Sequence, residues 1–232
     1  MKALVLAGGR GTRLEPVVTD VPKPMATVAG RPFLEWQLEF LESHGVGDVV
    51  LSVGYRSDVI RDHFGDGSGF GVDVAYAEET EPLGTGGAVR NARDHLDGER
   101  DFLVLNGDTY LDVDLGEFVA FHRETPGTAT LALSRLEEEQ KGGFVHLNGD
   151  ARIERFVEER RDGGLVNGGI RAFDAAVLSR LPDETKFDLS TVCERLAADG
   201  ELYGYRTEGY FKDIGTPERY REINEELEEV VG

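Results

Sequence analysis

The stretch Ala3-Leu4-Val5-Leu6-Ala7-Gly8-Gly9-Arg10-Gly11-Thr12-Arg13 passes from five consecutive apolar residues straight into glycines and arginines. An unbroken apolar run of this length reads as a strand buried on both faces, as in a parallel sheet covered by helices. The glycines after it permit positive-φ turns that line up backbone N–H groups as an anion nest, and Arg13 adds a multidentate charge for phosphate. The segment is neither G-x-x-x-x-G-K-[ST] nor a complete G-x-G-x-x-G, because Leu14 occupies the last place. That spacing argues against both a P-loop and a dinucleotide fingerprint.

Working outward, strands and helices alternate. Residues 32–44 read as a helix: Pro32 suits the first turn, Phe33, Leu34, Leu38 and Leu41 recur at helical spacing, and Gly45 is a stop. Strands follow at 48–53, 72–76, 101–105 and 128–134, with helices at 57–64, 86–95 and 115–123 between them. This alternation predicts right-handed βαβ units, hence a Rossmann-like α/β fold with a mostly parallel sheet flanked by helices. Ligands of such sheets sit beyond the carboxyl ends of the strands. Gly8–Arg13, Gly54-Tyr55 and Asn106-Gly107-Asp108 all fall there. After about residue 140 the strands shorten, at 144–147, 152–157, 165–173, 201–206 and 209–213, and helices are expected at 174–180, 188–198 and 217–230. No linker or internal repeat divides the chain, so residues 1–232 read as one domain: 1–135, a β-rich part at 136–216, and a C-terminal helix at 217–232.

Composition narrows the classes. The 232 residues carry a net charge of −20, and lysine supplies only five of the 25 basic residues. So negative a body repels nucleic acid and anionic membrane. Abundant acid with scarce lysine resembles proteins of salt-rich cytoplasm, where salt screens self-repulsion. Residues 1–31 run the other way: Lys2, Arg10, Arg13, Lys23 and Arg31 stand against Glu15 and Asp20, a local +3 in an acidic chain. That suits an anionic small molecule. Thirty glycines, about twice average usage, point to turns and close backbone approaches. The single cysteine, Cys193, excludes an intrachain disulfide and reads as a core thiol beside Leu189, Val192 and Leu196. No apolar run reaches transmembrane length, and the N-terminal run is too short for a signal peptide, so a cytoplasmic protein is expected.

Two further elements carry chemistry. Pro22-Lys23-Pro24 holds a lysine in a stiff, extended segment. Asp108 and Asp213 each end an apolar strand, far apart in sequence but within reach of convergence in this fold; either also suits an ordinary turn.

Taken together, Leu6-Ala7-Gly8-Gly9-Arg10-Gly11-Thr12-Arg13-Leu14 and Pro22-Lys23-Pro24-Met25 resemble the signature of the sugar-1-phosphate nucleotidyltransferases. The resemblance continues in order through Gly30–Glu35, Phe64–Ser68, Glu79–Ala88, Asn106-Gly107-Asp108, Asn167–Ile170 and Asp213–Pro217, and the wording at 78–88 is nearest to the mannose- or heptose-1-phosphate guanylyltransferase branch. It implies the nucleotide-diphospho-sugar transferase fold, with a nucleotide-binding half at 1–135 and a sugar-binding half at 136–216. It implies Mg²⁺-dependent transfer of a nucleotidyl group from an NTP to a sugar 1-phosphate, releasing pyrophosphate. On that resemblance Arg13, Lys23 and Asp108 are catalytic. Leu6, Ala7, Gly8, Gly9, Gly11, Thr12, Glu78, Gly84 and Asp108 bind nucleotide, with Glu79 the alternative to Glu78 at the base. Gly143, Glu158, Asn167 and Gly168 bind sugar, and Asp108 and Asp213 hold Mg²⁺. The resemblance also aims the N-terminus of a helix beginning in Leu83–Ala88 at an anion.

One segment departs from the family. Where a Glu-Lys pair is usual, this chain has Glu158-Glu159-Arg160. An acidic Glu159 does not bind phosphate, leaving Arg160, Arg155 or Arg171 as the replacement. Competing readings are a uridylyl- or thymidylyltransferase, a non-catalytic nucleotide-sugar-binding homologue, and a glycosyltransferase using Asp112-Val113-Asp114. Homo-oligomerisation stays open.

Overall fold

A computed structural model describes residues 1–231 except 12, 15, 16, 20, 137–139 and 162, with residues 140–143, 158–161, 228 and 231 described in backbone only. In chain order the strands are β1 (Lys2–Leu6), β2 (Thr27–Val28), β3 (Arg31–Pro32), β4 (Asp48–Val53), β5 (Asp73–Glu78), β6 (Asp101–Asn106), β7 (Thr109–Leu111), β8 (Ala129–Leu136), β9 (Gln140–Leu147), β10 (Ile153–Arg161), β11 (Gly164–Asp174), β12 (Leu202–Arg206) and β13 (Phe211–Asp213). The helices are α1 (Phe33–Ser43), α2 (Ser57–Phe64), α3 (Gly84–Asn91), α4 (Arg93–Leu96), α5 (Leu115–Glu124), α6 (Leu189–Ala198) and α7 (Pro217–Val231).

The apolar runs behave as the buried-strand pattern predicts. Ala3, Leu4 and Val5 are fully buried, and β1 lies parallel between β4 and β6, with β5 beyond β4. The second half joins antiparallel: β11 pairs with both β6 and β8, and β9 with β10 and β11. The nine-stranded sheet runs β10-β9-β11-β6-β1-β4-β5, with β8 and β12 branching from β11. Side chains alternate across this sheet, so each face has its own core. One packs against α1, α5 and α7 around Phe33, Leu38 and Phe118; the other packs against α3, α4 and α6 around Leu4, Phe102 and Val192.

Two local expectations are revised, and one strand is added. The helix at 86–95 is two helices, because the chain leaves α-geometry at Ala92 before α4 begins. Residues 175–180 form a 3-10 run, capped by Asp174 accepting from the Ala176 N–H. Thr109–Leu111 is a strand: too short to show periodicity, it exists because β13 pairs with it. No helix among the described residues is long and apolar enough to cross a membrane.

The carboxyl ends of β1 and β6 meet at a single tight crossing. Gly107 N–H donates to the Leu6 carbonyl at 3.0 Å, and a Cβ at Gly107 would stand 2.5 Å from that oxygen. The nearest atoms it would meet all belong to the backbone of Leu6 and Ala7, so relief requires parting the strands. Gly107→Ala is therefore expected to cost about 1–3 kcal/mol, and to lower the midpoint of a thermal melt by several degrees. A melt within a degree of wild type would contradict this packing.

Candidate active site

A cleft of ≈ 480 Å³ opens at the carboxyl ends of β1, β5 and β6. Leu6, Gly8, Gly9, Gly11, Arg13, Lys23, Gly84 and Asp108 line it, so half of the sixteen site residues read from sequence share one cleft. Ala7 is fully buried just beneath, its N–H donating to the Ser52 carbonyl. Thr12 lies outside the described residues.

The glycine loop lies between two charged side chains. At one end a Cβ on Gly8 would fall 2.2 Å from Glu79 Oε1; at the other, a Cβ on Gly11 would fall 2.6 Å from Lys23 Cβ. Gly11 also sits at φ +65°, where a side chain is strained. Lys23 opens a 3-10 turn, Lys23–Met25, entered from an extended Pro22 at φ −64°, ψ 151°. The two prolines fix this path. The lysine side chain, 10% exposed, reaches Asp108: Nζ donates to Oδ2 at 2.6 Å.

Asp213 joins them through backbone pairing. On β13 it stands level with Thr109 of β7, and the next N–H, of Ile214, donates to the Asp108 carbonyl at 2.9 Å. Asp213 Oδ1 accepts from the Gly215 N–H at 2.6 Å, and Oδ2 from Arg219. Asp108 Oδ1 accepts from Thr109 Oγ1 at 3.1 Å. No cluster of three metal-ligating side chains occurs among the described residues. Asp108 and Asp213, on neighbouring backbone segments, supply hard carboxylate oxygens and leave a cation to complete its shell from phosphate oxygens and water. The site therefore fits Mg²⁺, which binds proteins in this way.

Of the two adjacent glutamates, the structure turns Glu79 and not Glu78 into the cleft. Glu78 faces away from the cleft, its carboxylate accepting from Arg61 at 3.1 Å and Ser57 at 3.3 Å on α2. Glu79 lines the cleft, held by Ser52 Oγ at 2.8 Å and the Leu83 N–H at 3.3 Å. Consecutive residues of an extended chain point to opposite sides, so only one of the pair faces inward. The glycines that follow also have a different role. The N–H groups of Gly86 and Gly87 donate to the Phe187 carbonyl, and side chains at Gly84, Gly86 or Gly87 would collide with residues 185–188. Much of the α3 N-terminus is thus spent on packing, not offered to an anion.

In the second half of the chain, β11 carries a register shift between Asn167 and Arg171, with Gly169 at φ +89°. This bulge re-aims the strand. Asn167 Oδ1 accepts from the Gly169 N–H, and Gly168 packs against Leu111. Gly143 and Glu158 are register partners across β9 and β10; the Glu158 and Arg160 side chains lie outside the described residues. Arg155 is exposed on β10, whereas Arg171 is buried. Cys193 is buried, as read, and burial pushes its thiol up. Asn106, read from sequence at a strand end, also lines the cleft, as do Lys186 and Asp188, which no sequence signal singles out.

The family model for nucleotidyl transferases matches residues 2–230. The chain belongs to the nucleotidyl transferase family. Among curated relatives, a mannose-1-phosphate guanylyltransferase of Mycobacterium tuberculosis is 36% identical over 94% of the chain, and the chain spans 62% of that relative's length. A D-glycero-alpha-D-manno-heptose 1-phosphate guanylyltransferase of Aneurinibacillus thermoaerophilus is 34% identical with full coverage of both proteins. Among solved structures, HddC from Yersinia pseudotuberculosis complexed with GMP-PN superposes with a TM-score of 0.84 at 32% identity, over 97% of this chain and 99% of the other. This nucleotidyl transferase thus carries the Rossmann-like fold of its relatives, with the cleft at the strand ends where that fold binds ligands.

Proposed function

We propose that the protein transfers a guanylyl group from GTP to mannose 1-phosphate or a heptose 1-phosphate, releasing pyrophosphate. Membership of the family supports the reaction class, and the named activities of the relatives support guanine and these sugars. The observation that carries the choice of base is Glu79. Its carboxylate only accepts hydrogen bonds, and it stands at the Gly8 end of the loop. Guanine presents adjacent N1–H and N2–H donors, which an acceptor pair satisfies. Uracil and thymine offer one N–H between two carbonyls, which a carboxylate repels. This chemistry disfavours the uridylyl and thymidylyl alternatives.

The reaction brings two anions together, so positioning and charge neutralisation dominate. With the base at Glu79, the triphosphate runs along the Gly8–Gly11 amides toward Lys23. Arg13 neutralises the departing pyrophosphate, and Lys23 faces the phosphorus under attack by the sugar phosphate oxygen. Asp108 and Asp213 would hold Mg²⁺, which when bound offsets charge on the phosphates. Lys23 is oriented by Asp108, so its ammonium is in place before substrate arrives.

A panel of four NTPs against mannose, heptose and glucose 1-phosphates, scored by pyrophosphate release, tests the reading. GTP with mannose or heptose 1-phosphate is expected to be fastest; no release from any pair would overturn it. Glu79→Gln replaces one acceptor with a donor and is expected to lower kcat/KM for GTP about ten- to a hundredfold, the worth of a charged hydrogen bond. Unchanged selectivity among NTPs in this variant would reject Glu79 as the base reader.

A further inference from the structure

Arg171 places a guanidinium inside the core. The residue is 8% exposed, level with Val104 and Leu131 on the face filled by α6. Nη1 donates to Asn106 Oδ1 at 3.0 Å and, more weakly, to the Gly169 carbonyl at 3.4 Å; Nε has no hydrogen-bond partner. Among the described residues no carboxylate forms an ion pair with it. Burial lowers its proton affinity, while Cys193 and Asp108 act in the opposite sense. A buried cation without a counter-ion is costly to desolvate, and an apolar side chain would fill the same space without that penalty.

We propose that Arg171 is a positioning residue for the sugar 1-phosphate, acting through Asn106; this rests on the guanylyl-transfer reading above. A guanidinium only donates, so the Asn106 oxygen must face it and the amide nitrogen must face the opposite way. Nδ2 then lies over the β11 bulge, 3.4 Å from where a Cβ of Gly169 would be. It has no acceptor within the described protein. Asn106 lines the cleft two residues before Asp108. Arg171 therefore presents an N–H₂ donor at the junction of the two halves of the site, ready for a hydroxyl or phosphate oxygen of the acceptor. Its bond to Gly169 fixes the bulge opposite that donor, and its charge lies behind the place where an anion enters. This gives Arg171 a part of the work that the Glu159 position does not perform here.

Steady-state kinetics at saturating GTP, then at saturating sugar 1-phosphate, test this with R171M, R171K and N106D, each checked by circular dichroism and thermal melting. R171M frees the amide to flip and is expected to raise KM for the sugar 1-phosphate about tenfold, one hydrogen bond's worth, while KM for GTP stays within about twofold. R171K keeps a donor and the charge and is expected to recover most of the loss. N106D gives Arg171 a carboxylate partner, so its melting point holds or rises, yet it removes the donor and raises the same KM. A stable protein with weakened acceptor binding is not what a merely structural role yields. Should R171M fail to fold, N106D decides. Parallel rises in both KM values, or a sugar-phosphate KM unchanged in R171M and N106D when the wild type turns over, would overturn this proposal alone. A wild type that releases no pyrophosphate overturns the transfer reading and this proposal with it.

Discussion

Lys23→Ala is expected to slow pyrophosphate release about 10²–10³-fold, the cost of removing one preorganised charge from a reacting centre, with KM for GTP changing much less. The expectation rests on how the lysine is held. Its backbone is set by Pro22 and Pro24, its stem packs on Gly11, and its ammonium contacts Asp108 at 2.6 Å. A cation in this position pays its orientation cost in folding, not at the moment of reaction. Because its Nζ contact is to one half-exposed carboxylate, the variant should fold normally. Normal turnover in a folded Lys23→Ala protein would remove the lysine from the reaction.

Asp108→Asn is expected to act as strongly and by a separable route. The substitution preserves shape and the Thr109 contact but removes the charge that a divalent cation needs. It also leaves Lys23 without its counter-ion. Loss of about 10²–10³ in rate should accompany loss of Mn²⁺ binding in an electron paramagnetic resonance titration with nucleotide present. Lys23→Ala, by contrast, should retain Mn²⁺ binding, since it removes a competing cation. Equal Mn²⁺ affinity in wild type and Asp108→Asn would place the metal elsewhere.

How far the sequence led depended on whether the signal was local. The β1 run and the helical spacing of Phe33, Leu34, Leu38 and Leu41 are local and gave the layers directly. The glycine loop and Pro22-Lys23-Pro24 were likewise legible, because backbone freedom and stiffness are written in single residues. The choice between Glu78 and Glu79 was not: it turns on the parity of one strand end, and β5 finishes between them. The glycines at 84–87 misled for a related reason. Their close neighbour is residues 185–188, a hundred positions away, and no local pattern announces it. Lys186, which reaches the cleft from the same distant segment, carries no local signal either. In sequence Arg171 is one of three arginines able to reach a phosphate; only the pairing of β11 with β6 and β8 shows that it is buried behind Asn106.

A crystal structure with a non-hydrolysable GTP analogue and Mg²⁺ bears most directly on the whole account. Guanine against Glu79, with the phosphates crossing the Gly8–Gly11 amides to end beside Lys23 and Asp108, is the predicted arrangement. A nucleotide bound in the reverse sense, or outside this cleft, would contradict it.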